Sequence, residues 1–160
     1  MATEKRPRVY FDSCVFLALF LGEVERVEKA EAALESATQG ITQGCISPLV
    51  VSEVIGAPSL RAPQGRLSEA DAPRLDHARD YFLATKFQYV DIAQVAAHRA
   101  MEHAVRFQLK GPDALHLALA QLGRCDELHT YDGKLLKVEN QLSGLRVRTP
   151  HGQPQSSLNV

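Results

Sequence analysis

The sequence predicts an α/β sandwich with a mostly parallel central sheet. Three observations lead there. Short apolar runs of strand character alternate with longer segments of helical periodicity along the whole chain. Helical segments open on a capping residue or a proline and close on a glycine. The 160 residues suffice for one domain that buries about two thirds of its unfolded surface.

Residues 1–7 are a polar lead-in, and the first strand spans 8–11 around the buried trio Val9, Tyr10 and Phe11. The apolar run Cys14 to Leu21 reads as a helix buried on all sides. In "VERVEKAEAALESATQ", Val24, Val27, Ala30, Ala33, Leu34 and Ala37 share one helical face, and Gly40 ends the segment. "ITQGCIS" is a second short strand. Ser47 then stands at an N-cap, Pro48 at the first helical position and Gly56 just past the end of a short helix over 48–55. Residues 57–73, rich in proline, glycine and charge, read as a loop or mobile lid. A helix over about 74–87 leads to "QYVDI", a short strand or extended link. Helix 93–107 carries Ala97, Met101, Ala104 and Val105 on one side, and "KGPDALHLALAQLG" repeats the pattern of proline in and glycine out. "DELHTYDG" is a strand ending in a turn, "KLLKVEN" a helical turn and "LRVRTP" a last strand. One domain over 1–150 and a disordered tail over 151–160 result.

The totals exclude several classes. Hydrophobic residues make up 45% and charged residues 23%, an ordinary globular composition. A net charge of −1 gives no overall basic field, so any nucleic-acid contact must rest on local patches. Cys14 to Leu21 is too short to span a bilayer, follows a strand and lacks a small-residue cleavage pattern, so no membrane anchor or signal peptide is expected. Cys14, Cys45 and Cys125 have no metal-like spacing and cannot all pair, which suits a reducing cytoplasm.

Four acids stand out, and three have structural roles of their own. Asp12, with Ser13, sits between the first strand and first helix, where either caps the helix. Asp113 lies in the first turn of a helix, favoured there by the dipole. Asp132 precedes Gly133 in a turn. Glu53 is harder to explain, because its two-turn helix is apolar on nearly every side; it must reach the surface or find a partner. In a parallel sheet, strand C-termini and the helix N-termini that follow share one edge, where such folds bind ligands. All four acids fall at that edge, with hydroxyls at Ser13 and Thr130.

Two carboxylates about 4 Å apart repel by roughly 4 kcal/mol at an effective dielectric near 20. Four together call for a cation, and oxygen ligands suit a hard divalent ion such as Mg²⁺ or Mn²⁺. No histidine or cysteine occupies these four positions, which argues against zinc.

"VYFDSCVFLALF", "SPLVVSEVIG", "KGPDALHLALA" and "LHTYDGKLLK", in that order and followed by "VRTP", resemble the acidic signatures of the PIN-domain nucleases over about residues 7–150. The resemblance implies that Asp12, Glu53, Asp113 and Asp132 hold Mg²⁺ or Mn²⁺, with Ser13 and Thr130 supporting them by hydrogen bonds. It implies a three-layer α/β/α fold with a mostly parallel central sheet, and metal-dependent cleavage of RNA that leaves a 5′-phosphate and a 3′-hydroxyl. Small members are often VapC-type toxins, inhibited by a VapB-like antitoxin and often dimeric. Two departures stand out: Cys14 replaces the usual Asn, Ser or Thr, and the 57–73 loop is longer than in compact toxins.

An acidic centre needs cations to hold an RNA backbone. Lys110 and Lys134, each within three residues of a proposed ligand, are the leading candidates, with Lys137, Arg61 and Arg66 behind them. His116, one turn after Asp113, is read as a packing histidine, and Cys14 as a small buried apolar residue. Two other functions fit less well. A PIN-like scaffold serving only as an RNA- or protein-binding regulatory module would not need all four acids. A receiver-like phosphoryl-transfer domain also places an aspartate after its first strand, but "DSCVF" has no D-x-D pattern.

Overall fold

The computed structural model describes residues 5–60 and 72–153. Within them a five-stranded sheet has the order β3-β2-β1-β4-β5: β1 (Arg8–Phe11), β2 (Gln43–Ile46), β3 (Gln88–Tyr89), β4 (Glu127–His129) and β5 (Arg146–Arg148). Every pairing is parallel, with Tyr10 level with Cys45 on one side and Leu128 on the other. The helices are α1 (Ser13–Leu21), α2 (Val27–Thr38), α3 (Pro48–Gly56), α4 (Ala72–Ala84), α5 (Gln94–Phe107), α6 (Gly111–Leu122) and the single turn α7 (Gly133–Leu136).

β1 occupies the centre because both of its faces are apolar. Phe11 packs edge-on against Phe16 of α1 on one face, with ring centroids 6.2 Å apart. Tyr10 tilts against His116 of α6 on the other at 5.9 Å. A strand whose successive side chains are buried above and below must be covered by helices on both sides. The aromatic layer continues from Phe16 into Phe82 and Phe87, which seals α1 against α4. Gly44 is required by this layer: a Cβ there would lie 2.7 Å from the Phe87 ring. At the end of α1, Gly22 takes a left-handed φ of 64°, and its N–H returns to the last carbonyls of the helix.

Several expected boundaries shift. Gly56 is the last residue of α3, not the residue beyond it, and Ala57 caps the helix. The region read as a loop begins with a 3-10 turn at Pro58–Leu60, whose Leu60 is buried, and gives way to α4 two residues earlier than expected. α4 also ends three residues early, at Ala84, because Phe87 leaves the helix to enter the core. The centre of the proposed lid, with Arg61 and Arg66, lies outside the described residues, as do 154–160. No described helix is long and apolar enough to cross a membrane.

The connectivity decides where a ligand goes. From β1 the chain moves to β2 and β3 on one side, then returns to β4 and β5 on the other. The reversal opens a crevice at the C-terminal end of β1, and Asp12 is the next residue.

Candidate active site

Asp12 is fixed by both chemistry and backbone. Its extended backbone ends β1, and its carboxylate caps α1 by accepting the Ser13 N–H at 2.7 Å. The Ser13 hydroxyl lies 3.3 Å from the same oxygen. On the other oxygen, Thr130 donates its hydroxyl at 2.7 Å and the Cys14 thiol approaches at 3.4 Å. Thr130 also accepts the Asp132 N–H at 2.9 Å, so one buried hydroxyl ties together the ends of β1 and β4. Cys14 therefore makes a contact that its departure from Asn, Ser or Thr put in question. It also accepts the Tyr131 N–H. Burial, reinforced by the Asp12 charge, pushes the Cys14 thiol up to about 12, so it remains a neutral donor.

Glu53 projects from α3 into the same crevice, half-buried, and its partner is His116. The imidazole Nε2 lies 2.7 Å from Glu53 Oε2 and 3.4 Å from Asp12 Oδ1. Its other nitrogen, Nδ1, meets the Tyr10 hydroxyl at 3.0 Å, and that hydroxyl meets Ser47 Oγ at 2.8 Å. Ser47 precedes α3 without a side-chain capping bond, because its hydroxyl is engaged in this chain. His116 thus packs in the core and faces the acids as well. Burial disfavours its charged form, yet the Glu53 hydrogen bond and the charges of Asp12, Glu53 and Asp113 outweigh burial and raise its pKa. For Glu53, burial pushes upward, but the hydrogen bond and charge of His116 win and the pKa falls.

Asp113 lies in the first turn of α6, behind Pro112. Burial raises its pKa, and the carboxylates of Asp132, Asp12 and Glu53 raise it further, only partly offset by His116. Asp113 therefore sits within the field of the other three acids. Asp132 caps the short α7, accepting the N–H groups of Lys134 and Leu135 at 2.8 and 3.0 Å. Its structural role and its position at the crevice coexist, as they do for Asp12.

Among the described residues no lysine or arginine forms an ion pair with any of these four acids. Asp12, Glu53 and His116 each offer a ligand atom within 4.8 Å of the other two. A carboxylate set paired, among the described residues, with one imidazole and with no lysine or arginine has the chemistry of a divalent-metal site. Lys110 precedes α6 and Lys134 lies in α7, both exposed. Lys134 also lines a groove of about 400 Å³ with Lys137 and Arg106. Sequence reasoning missed Arg106, because the turn that brings the end of α5 beside α7 depends on Gln108 in a left-handed conformation.

The PIN domain family model matches residues 9–141. The chain belongs to the PIN-domain family. Solved structures agree in fold. A toxin–antitoxin complex from Klebsiella pneumoniae is 26% identical, covering 91% of this chain and 99% of its own, with a TM-score of 0.62. VapBC2 from Rickettsia felis, bound to a promoter DNA fragment, is 14% identical over 89% and 98%, with a TM-score of 0.63. VapC20 from Mycobacterium tuberculosis, a toxin that cleaves the sarcin–ricin loop, is 18% identical over 78% and 90%, with a TM-score of 0.60. No curated protein matches the chain by sequence.

Proposed function

We propose that this PIN domain is a metal-dependent endoribonuclease and the toxin of a VapBC-type pair. The observation that carries the reading is the set of four acids at the strand switch point, balanced by no lysine or arginine among the described residues. Asp12, Glu53, Asp113 and Asp132 would hold the ion, and their oxygen donors suit Mg²⁺ or Mn²⁺. When bound, such an ion polarises the scissile phosphate and lowers the pKa of a water for in-line attack.

The chain's own residues supply the rest. Thr130, Ser13 and Cys14 hold Asp12 in one orientation, so little reorganisation accompanies binding. His116, itself held by Tyr10, fixes Glu53. Lys110 and Lys134, each within three residues of a proposed ligand, would take backbone phosphates, and Lys137 and Arg106 line a groove with Lys134 along which such contacts would continue. The toxin–antitoxin complexes among the structural relatives support a VapB-like antitoxin as partner. A homodimer and a cytoplasmic location belong to the same proposal. Val95, Met101 and Val105 are exposed on α5 and would give a protein partner apolar contacts.

The test is RNA cleavage by the purified protein with Mg²⁺ or Mn²⁺, with and without EDTA, against Asp12→Asn. Cleavage that needs the ion and vanishes in the variant is expected. Equal activity in both proteins would reject the assignment, and metal binding without cleavage of any RNA would favour a regulatory scaffold.

A further inference from the structure

Beyond the acid crevice, a second group of metal-ligating side chains lies under the segment that follows β5. Glu127 and His129 are two residues apart on β4, so both project from the same face of the sheet. Both are buried, His129 to 1% exposure. After β5 the chain crosses α2, where the Gln153 N–H reaches Ser36 Oγ at 3.1 Å, and this path lays His151 over the pair. His129 Nε2 lies 2.7 Å from Glu127 Oε2, and His151 Nε2 lies 3.5 Å from that same oxygen. The two rings stand with centroids 4.7 Å apart. One ligand atom from each of the three residues lies within 4.8 Å of the other two.

We infer that Glu127, His129 and His151 form a second metal site, selective for a nitrogen-preferring divalent cation such as Zn²⁺, that clips the chain after β5 onto the sheet. Two imidazoles and one carboxylate are a recognised zinc donor set that leaves a fourth position for water. Donors around tetrahedral zinc stand roughly 3.3 Å apart, and the Glu127 oxygen already lies 2.7 and 3.5 Å from the two imidazole nitrogens. The surroundings match what a ligating carboxylate requires. Glu127 Oε1 lies 3.4 Å from an Arg148 guanidinium nitrogen, which orients the group with Oε2 toward the two imidazoles. His129 Nδ1 is buried with no hydrogen-bond partner among the described residues, so the ring's one hydrogen bond is the one its Nε2 makes with Glu127. His151, with about a third of its side chain exposed, opens the site to solvent and gives the ion a way in.

This inference does not rest on the nuclease reading, and its test keeps the two sites apart. Metal-stripped full-length protein is titrated with Co²⁺ in excess Mg²⁺, so that the acid crevice is satisfied by the harder ion. An intense visible absorption of tetrahedral cobalt is expected at one equivalent, displaced by Zn²⁺. His151→Gln, a change at a partly exposed position, should lose that band and bind Zn²⁺ at least tenfold more weakly. It should also lose the rise in unfolding temperature that Zn²⁺ gives the wild type. His116→Gln should keep the band. If His151→Gln binds as the wild type does, or His116→Gln alone abolishes binding, the ion belongs to the acid crevice and the second site is overturned. Absence of any tetrahedral cobalt spectrum in the wild type overturns it equally.

Discussion

Two polar clusters stand at the sheet, and their residues obey opposite electrostatics. Around Asp12 lie four carboxylates, three of which act on one imidazole; around Glu127 a single carboxylate is shared by His129, His151 and Arg148. The consequence is visible in individual groups. Burial raises the Asp113 pKa, and the neighbouring carboxylates raise it further. Burial pushes Glu127 upward too, but the His129 hydrogen bond and charge, with His151 and Arg148, bring it below its ordinary value. The first cluster carries a negative excess that a hard cation relieves. The second has its negative charge already met, and what it offers an ion is nitrogen donors. Similar residue types at similar depth therefore imply different occupants.

The sharpest way to break this contrast is to remove a carboxylate from the first cluster. Asp12→Asn should reduce single-turnover RNA cleavage by about a hundredfold or more, equivalent to roughly 3 kcal/mol of transition-state stabilisation. The Co²⁺ spectrum assigned to the second cluster should be untouched. A smaller effect is expected from His116→Gln, which leaves Glu53 without its charged partner and Tyr10 without its ring nitrogen. Loss of such a buried network costs about 1–3 kcal/mol, read as a lower denaturant midpoint with an unchanged slope.

The same pair sets a pH signature for the metal-free protein. His116 has a raised pKa, so its contribution to stability is complete below the ordinary imidazole value of 6.5 and fades as pH rises through the folded value. Glu53 has a lowered pKa, so its contribution is complete above the ordinary 4.5 and fades as pH falls through the folded value. Urea titrations in EDTA should therefore show a stability maximum between these limits, flattened on both sides in His116→Gln. The smallest effect concerns Asp113, which is partly exposed and repelled by its neighbours. Asp113→Asn should stabilise the metal-free protein at neutral pH by less than about 1 kcal/mol, measured by thermal unfolding, while reducing cleavage.

Much of this arrangement was legible in the sequence. The order of strands and helices follows from period-2 and period-3.6 patterns with proline and glycine at helix ends. Parallel strands then place Asp12 and Asp132 on one edge without any knowledge of contacts. What the sequence did not reveal are contacts between distant segments. His116 reads as a packing residue because it lies on the apolar side of α6; that this side faces Glu53, 63 residues away, depends on how α3 and α6 meet across β1. The cluster around Glu127 was invisible for a related reason. His151 lies where the pattern predicted only a tail, and the crossing over α2 that returns it to β4 depends on Ser36 and Gln153.

Anomalous diffraction from a crystal of the full chain soaked in Mn²⁺ tests the central claim most directly. Scattering peaks among Asp12, Glu53, Asp113 and Asp132 are predicted, within coordination distance of their carboxylate oxygens. A fully soaked crystal with no manganese in that crevice would contradict the account, because among the described residues no lysine or arginine pairs with those acids.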